Sequence, residues 1–97
     1  MNGVKYDQDK DQWHLLEPWF TQEIVKVLTL GAKKYSFDNW KYVSDARNRY
    51  YDALMRHITA WFNGEENDPE DGLSHLAHAA CGIYFLRYFD LNKKENR

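Results

Sequence analysis

Three histidines and a group of acids carry the strongest chemical signal in this 97-residue sequence. His75 and His78 are three residues apart, and Asp71 precedes His75 by four. At about 100° per residue, a helix would place these three side chains within about 60° of one another. His57 falls in the apolar stripe of the preceding predicted helix, where a buried imidazole needs a hydrogen-bond partner or a metal.

An acidic connector lies between His57 and His75 and contains five carboxylates within residues 64–72. Imidazole and carboxylate donors together suit Mn²⁺, Fe²⁺, Co²⁺ or Zn²⁺, whereas Mg²⁺ prefers oxygen donors alone. The predicted metal ligands are His57, His75, His78, Glu65, Asp68 and Asp71. Two alternatives remain open. Protonated histidines could contact phosphates without a metal, or His57 could be a hydrogen-bonded core residue with the other two histidines at the surface.

A second group of residues follows the first predicted helix and suits a nucleotide. Lys33 and Lys34 could pair with phosphates, Asn39 could bind a base edge, and Trp40 or Tyr35 could stack on a base. The alternative is structural: the lysines would complement the helix dipole, and the indole would fill the core.

These residues need a helical scaffold, and apolar spacing predicts three helices. Pro18 suits a first helical position, so the first helix is predicted at about 18–34. The second is predicted at about 45–63, begins after a cap by Ser44 or Asp45, and ends before Gly64. The third is predicted at about 69–90, since Asp68 before Pro69 resembles a capped helix start. Residues 35–42 are predicted to form a loop.

The expected fold is an all-α, three-helix unit forming one domain over residues 1–97. Residues 1–16 lack a helical period and are predicted to form an extended arm that packs on another surface, and residues 92–97 are predicted to fray. Small residues from Ala77 to Gly82 allow another helix to approach closely. Three short helices cover one another poorly, so we expect a homodimer or higher homo-oligomer that completes a four-helix-type core.

Composition narrows the classes of function. Thirteen basic and fifteen acidic residues give a formal charge of −2 and a pI near 6.0, which argues against binding a nucleic-acid polymer. No apolar run approaches the roughly 18 residues of a membrane span, so no membrane partner is expected. A single cysteine, Cys81, forms no internal disulfide, and the expected location is the cytoplasm.

Short strings along the chain resemble a known family in their order. They are Lys5-Tyr-Asp7, Leu15-Leu-Glu-Pro18, Gly31-Ala-Lys-Lys-Tyr35, Asn39-Trp40, Arg56-His57, Ala60-Trp61, Gly64-Glu65, Asp68-Pro69-Glu70, Gly72-Leu73 and His75-Leu-Ala-His-Ala-Ala-Cys81. In this order they resemble the phage-borne dATP/dGTP diphosphohydrolase N-terminal (MazZ-like) family, over about residues 5–88. The resemblance implies an all-α fold related to MazG-like enzymes, which cleave a purine deoxynucleoside triphosphate to monophosphate and pyrophosphate with a divalent metal.

The leading hypothesis is therefore a metal-dependent nucleotide pyrophosphohydrolase, located in the cytoplasm of an infected bacterium if the resemblance holds. The expected cofactor is Mg²⁺ or Mn²⁺, with Zn²⁺, Co²⁺ or Fe²⁺ allowed by histidine ligands. The expected catalytic residues are Glu65, His57, His75 and His78, with Glu65 or the metal activating water. The expected nucleotide-binding residues are Lys33, Lys34, Tyr35, Asn39, Trp40, Arg56 and Trp61. The alternatives are a non-catalytic protein that sequesters a nucleotide or nucleotide immune signal, and a helical interaction module.

Overall fold

The computed structural model describes residues 2–93, and these form three α-helices with no β-strand. The α-helices are α1 (Pro18–Lys34), α2 (Ala46–Phe62) and α3 (His75–Leu91). Two short 3-10 helices, Trp13–Leu15 and Asn39–Tyr42, lie before α1 and between α1 and α2. The predicted all-α class is confirmed.

Helices α1 and α2 lie where their sequence patterns predict them. Pro18 occupies the first turn of α1, where its missing N–H removes no hydrogen bond. Asp45 is the N-cap residue of α2, but the predicted capping hydrogen bond from its side chain is absent from the described chain. Asp45 precedes the helix with a left-handed backbone (φ 53°), and its carboxylate accepts a hydrogen bond from the Asn48 side chain at 3.1 Å instead of capping backbone N–H groups.

Helix α3 begins six residues later than predicted. Ser74 is its N-cap, and the Ser74 hydroxyl accepts from the backbone N–H groups of Leu76 and Ala77 at 3.1 and 3.2 Å. The carboxylates of Asp68 and Asp71 instead each accept from a backbone N–H two residues further on, which is an Asx turn. The predicted helix start is thus a loop that precedes the helix.

Helix α3 is the central element because it packs against both α2 and α1. Small residues make the close contact with α2 possible: a Cβ on Gly82 would lie 3.4 Å from the Cβ of Leu54. Ala77, Ala79 and Cys81 are buried on the same helix. The small-residue stretch therefore permits the close helix packing that its composition predicts.

An aromatic cluster attaches the α1–α2 loop to the second half of α3. The Trp40 ring stacks on Phe85, with centroids 4.3 Å apart and planes at 17°, and meets the edge of Tyr88 at 4.9 Å. The Tyr50 hydroxyl donates to the backbone carbonyl of Trp40 at 3.1 Å. These contacts fix the loop beside α2 and α3.

The described chain leaves many apolar side chains exposed. Its radius of gyration is 17.1 Å, whereas a compact domain of this length has about 12–13 Å. In the arm, Val4, Tyr6, Trp13 and Leu15 are exposed, so within one chain the arm is not packed as predicted. The homo-oligomer stays a prediction, as does the single domain. Within residues 2–93, no helix has the length and hydropathy that crossing a membrane requires.

The predicted frayed tail lies mostly outside the described residues. Asn92 ends α3, and its side chain donates to the Tyr88 carbonyl at 2.9 Å. Residues 94–97, like Met1 of the arm, fall outside the part of the chain that the structure describes.

Candidate active site

The three predicted site histidines lie together where α2 passes the start of α3. The Nδ1 atoms of His57 and His75 are 2.9 Å apart. The rings of His57 and His78 stack, with centroids 4.5 Å apart and planes at 4°. His75 is 4% exposed, and the other two are partly buried. The predicted approach of these three side chains is confirmed.

The acidic connector folds into a tight turn against the histidines. Gly64, with a left-handed φ of 102°, ends α2, and an antiparallel bridge then pairs Asn67 with Ser74. At the tip, Gly72 has φ 77°, and its N–H donates to the Asp68 carbonyl at 2.7 Å. Because both glycines have backbone angles that L side chains rarely adopt, they fix the path of the connector.

This turn directs two of its carboxylates toward the histidines. Asp71 Oδ2 lies 2.8 Å from His78 Nε2. The donor atoms of His57, Asp68 and His75 all lie within 4.8 Å of one another, and so do those of Asp68, Asp71 and His78. Asp68 belongs to both groups and therefore joins them into one cluster.

Glu65 was predicted to be a metal ligand, but it lies beside His75 and outside both donor groups. Its Oε1 lies 2.6 Å from His75 Nε2, and it belongs to neither donor group. A carboxylate oxygen only accepts, so His75 Nε2 donates and His75 Nδ1 is left facing His57. This is the arrangement in which a carboxylate orients a metal-binding imidazole from behind.

The electrostatics of the cluster favour neutral imidazole at its centre. Burial lowers the pKa of His57, and the nearby His78 and His75 lower it further, while Asp68 and Asp71 oppose this. A neutral imidazole has a lone pair for a hydrogen bond or a metal. The cluster thus combines imidazole nitrogens with carboxylate oxygens, a donor set compatible with a divalent metal.

A cavity of about 1040 Å³ lies beside the cluster, between α1, the loop, α2 and α3. Its volume is at the upper end for small-molecule pockets, which are typically about 300–1,000 Å³. The predicted site residues that line it are Lys34, Tyr35, Asn39, Trp40, Arg56, His57, Asp68, Asp71 and His78. Cationic, amide, aromatic and potential metal-binding groups therefore share one cavity.

Four predicted site residues do not line this cavity. They are Lys33, Trp61, Glu65 and His75. Lys33 lines an adjoining, smaller groove of about 310 Å³ with Leu73, because neighbouring residues on a helix point about 100° apart. His75 and Glu65 lie behind His57 instead. Trp61 is partly exposed near Phe62.

Trp40 lines the cavity, but its ring packs against Phe85 and Tyr88. This agrees with the alternative in which the indole fills the core. Sequence reasoning missed Phe37 and Arg49, which also line the cavity. The sequence does contain a signal for Phe37 as a binding residue, because it is an aromatic residue in a polar loop between Tyr35 and Asn39. Arg49 had none, since a cation on a helix is usually a solvated group.

Comparison with known proteins places the chain in a family. Residues 1–97 match the family described as dATP/dGTP diphosphohydrolase, N-terminal. The chain belongs to this family. A curated relative, named dATP/dGTP diphosphohydrolase, from Salmonella phage PMBT28, is 40% identical over 86 residues, which are 89% of this chain and 29% of the relative. The chain thus spans less than a third of that relative's length, and no solved structure matches it.

Proposed function

We propose that this chain is a nucleotide pyrophosphohydrolase that cleaves a purine deoxynucleoside triphosphate to the monophosphate and pyrophosphate. The family membership and the name of the phage relative support the substrate class. The relative is much longer than this chain, so the activity in its name is proposed for this chain and is carried by the site described above. The observation that carries the proposal is the shared cavity, where Lys34 and Arg56 line the same space as Asp68, Asp71 and His78.

The charges in the cavity argue for a bound divalent cation. Carboxylates near a triphosphate repel it unless a divalent cation lies between them. In our proposal, His57, His75 and Asp68 hold the metal, with Asp71 and His78 beside them. When bound, a divalent metal polarises a phosphoryl oxygen and lowers the pKa of a bound water. The proposed ion is Mn²⁺ or Mg²⁺, and the nitrogen donors favour Mn²⁺.

The residues of the chain have distinct roles in this reaction. Lys34 and Arg56 neutralise the phosphate oxygens and orient the triphosphate. Glu65 holds the proton on His75 Nε2, which keeps the Nδ1 atom of His75 directed into the cluster. Hydrolysis adds one water across the α–β phosphoanhydride: the phosphorus that is attacked gains the oxygen of water, its bond to the bridging oxygen breaks, and the other product keeps that oxygen, which gives monophosphate and pyrophosphate.

The purified chain, incubated with a panel of NTPs, dNTPs and cyclic nucleotides, tests the proposal. Each nucleotide is incubated with Mg²⁺, with Mn²⁺ and with EDTA, and the products are resolved by chromatography. We expect dATP and dGTP to give monophosphate and pyrophosphate only with a metal. Tight binding in EDTA with no product would overturn hydrolysis and favour sequestration.

The proposed assembly is a homo-oligomer in the cytoplasm of an infected host. Exposed apolar side chains on all three helices support an additional partner surface: Trp19, Val25, Tyr51, Met55, Phe62 and Ile83. Light scattering on the purified chain gives its mass directly. A mass equal to one chain at micromolar concentration would overturn the oligomer.

A further inference from the structure

The ring that would stack on a base was predicted to be Trp40 or Tyr35, but both already have partners. One face of Trp40 lies on Phe85, and its ring also meets Tyr88 in the aromatic cluster. The Lys34 ammonium lies 5.3 Å from the centre of the Tyr35 ring. A base that stacked on the covered face of either ring would displace these contacts.

Phe37 lines the same cavity, and the residue is 84% exposed. No aromatic or cation–π contact involves Phe37 among the described residues 2–93. A phenyl ring exposed to water is unfavourable, so binding of an apolar or planar group that covers the ring is favourable. Among the described rings that line the cavity, Phe37 is therefore the one without an aromatic or cation–π contact.

The loop holds Phe37 in place between two fixed ends. On one side, Tyr35 N–H donates to the Gly31 carbonyl at 3.0 Å and continues the end of α1. On the other side, Asp38 has a left-handed backbone (φ 62°) and pairs with Lys41 at 3.1 Å. Because Trp40 then anchors the chain on α3, Phe37 is presented from an ordered loop.

Its neighbours supply the other features of base recognition. Asn39 is exposed and lines the cavity two residues later, and its amide has both a donor and an acceptor for a base edge. Lys34 and Arg56 line the same cavity and provide the positive charge for phosphates. One nucleotide in this cavity can therefore place its base at Phe37 and its phosphates at Lys34 and Arg56.

We propose that Phe37 stacks on the nucleobase of the substrate, with Asn39 bonding to the base edge. The phosphate end of this arrangement rests on the proposed function. Trp40 holds the loop and does not contact the base.

The test compares Phe37→Leu with Phe37→Trp and with a matched control, Tyr42→Leu. Tyr42 is 83% exposed in the same loop and does not line the cavity. For each protein, KM and kcat are measured with dGTP and Mn²⁺, and inorganic tripolyphosphate is the base-free competitor. Stacking on one aromatic ring changes affinity by about tenfold or more.

We expect Phe37→Leu to raise KM about tenfold with kcat within twofold, and to leave inhibition by tripolyphosphate unchanged. Phe37→Trp and Tyr42→Leu should keep the wild-type KM. A KM for Phe37→Leu equal to that of Tyr42→Leu would overturn the proposal. The proposal would also be overturned if Phe37→Leu weakened inhibition by tripolyphosphate as much as it raised the KM for dGTP.

Failure of the proposed function is distinguishable from failure of this inference. If the wild type releases no product, the affinity for dGMP is measured by calorimetry in the same four proteins. Weaker dGMP binding in Phe37→Leu alone would support stacking while hydrolysis fails. Equal binding in all four, or none in the wild type, would overturn stacking as well.

Discussion

His57 and His75, from two different helices, face each other through their Nδ1 atoms at 2.9 Å. Two nitrogens at this distance either share one proton or bind one cation between them. Glu65 stands behind His75 and accepts from its Nε2. In both cases the carboxylate determines which nitrogen of His75 faces His57, and so it controls the centre of the cluster from outside the cavity.

The first prediction separates an orienting role of Glu65 from a catalytic one. Glu65→Ala removes the acceptor and should weaken Mn²⁺ binding by about 10–100-fold, as loss of an outer carboxylate typically does. Glu65→Gln keeps an acceptor oxygen and should lose less. Calorimetric titration with Mn²⁺ measures both, and Glu66→Ala is the control because only the Glu66 backbone bonds to His75.

The sequence alone made a different prediction for this residue, with Glu65 activating water. That role requires Glu65→Gln to abolish turnover while Mn²⁺ affinity stays at the wild-type value. Such a result would contradict the orienting role that its position behind His75 indicates.

The second prediction concerns Asp68, which is common to both donor groups. Asp68→Asn removes the charge but keeps the oxygen that accepts from the Glu70 N–H. We expect the connector to stay folded while Mn²⁺ affinity and turnover each fall at least about 100-fold. Glu66→Gln is the control, since Glu66 is an exposed acid of the same connector that joins neither group. Equal effects of the two variants would remove Asp68 as a ligand.

Local sequence signals predicted the first two helices but misplaced the start of the third. Pro18 and Gly64 mark their boundaries through backbone geometry alone, so no distant contact is needed to interpret them. Asp68 and Asp71 fit both a helix cap and an Asx turn, and the choice depends on the bridge between Asn67 and Ser74. That pairing is not visible in a local pattern.

The candidate site was predictable where helical spacing determines it. His75 and His78 share one face of α3, and the stripe position of His57 directs it toward them. Spacing cannot say which of two adjacent lysines faces the cavity, and Lys34 does while Lys33 does not. The role of Trp40 likewise depends on residues of α3 that are more than 40 positions away.

The third prediction tests the observed start of α3. Ser74→Ala removes the hydroxyl that accepts from two backbone N–H groups, and it should lower the free energy of unfolding by about 1 kcal/mol. Ser74→Asp should restore most of this. Ser44→Ala is the control, because the Ser44 side chain caps no helix in the described chain and should change stability by less than about 0.5 kcal/mol. Urea unfolding followed by circular dichroism measures all three.

The fourth prediction concerns Trp40 as an anchor of the loop. Trp40→Ala removes a ring packed against the aromatic side chains of α3 and should cost about 3 kcal/mol of unfolding free energy. Trp40→Phe keeps a ring and should cost clearly less. If Trp40→Phe were as stable as the wild type but raised KM for dGTP tenfold, Trp40 would be the base-stacking residue instead.

The last prediction uses the buried thiol of Cys81, which is 2% exposed. Burial raises its pKa from 9.0 to about 12. Since the thiolate is the nucleophile, the folded chain at pH 8 should react with iodoacetamide at least about 1,000-fold more slowly than the urea-unfolded chain. Between pH 9 and 12 the unfolded chain loses this proton and the folded chain keeps it, so the free energy of unfolding should fall as pH rises. Cys81→Ala lacks this group and should lose less stability between pH 8 and 10.5; equal losses in both proteins would contradict a protonated buried thiol.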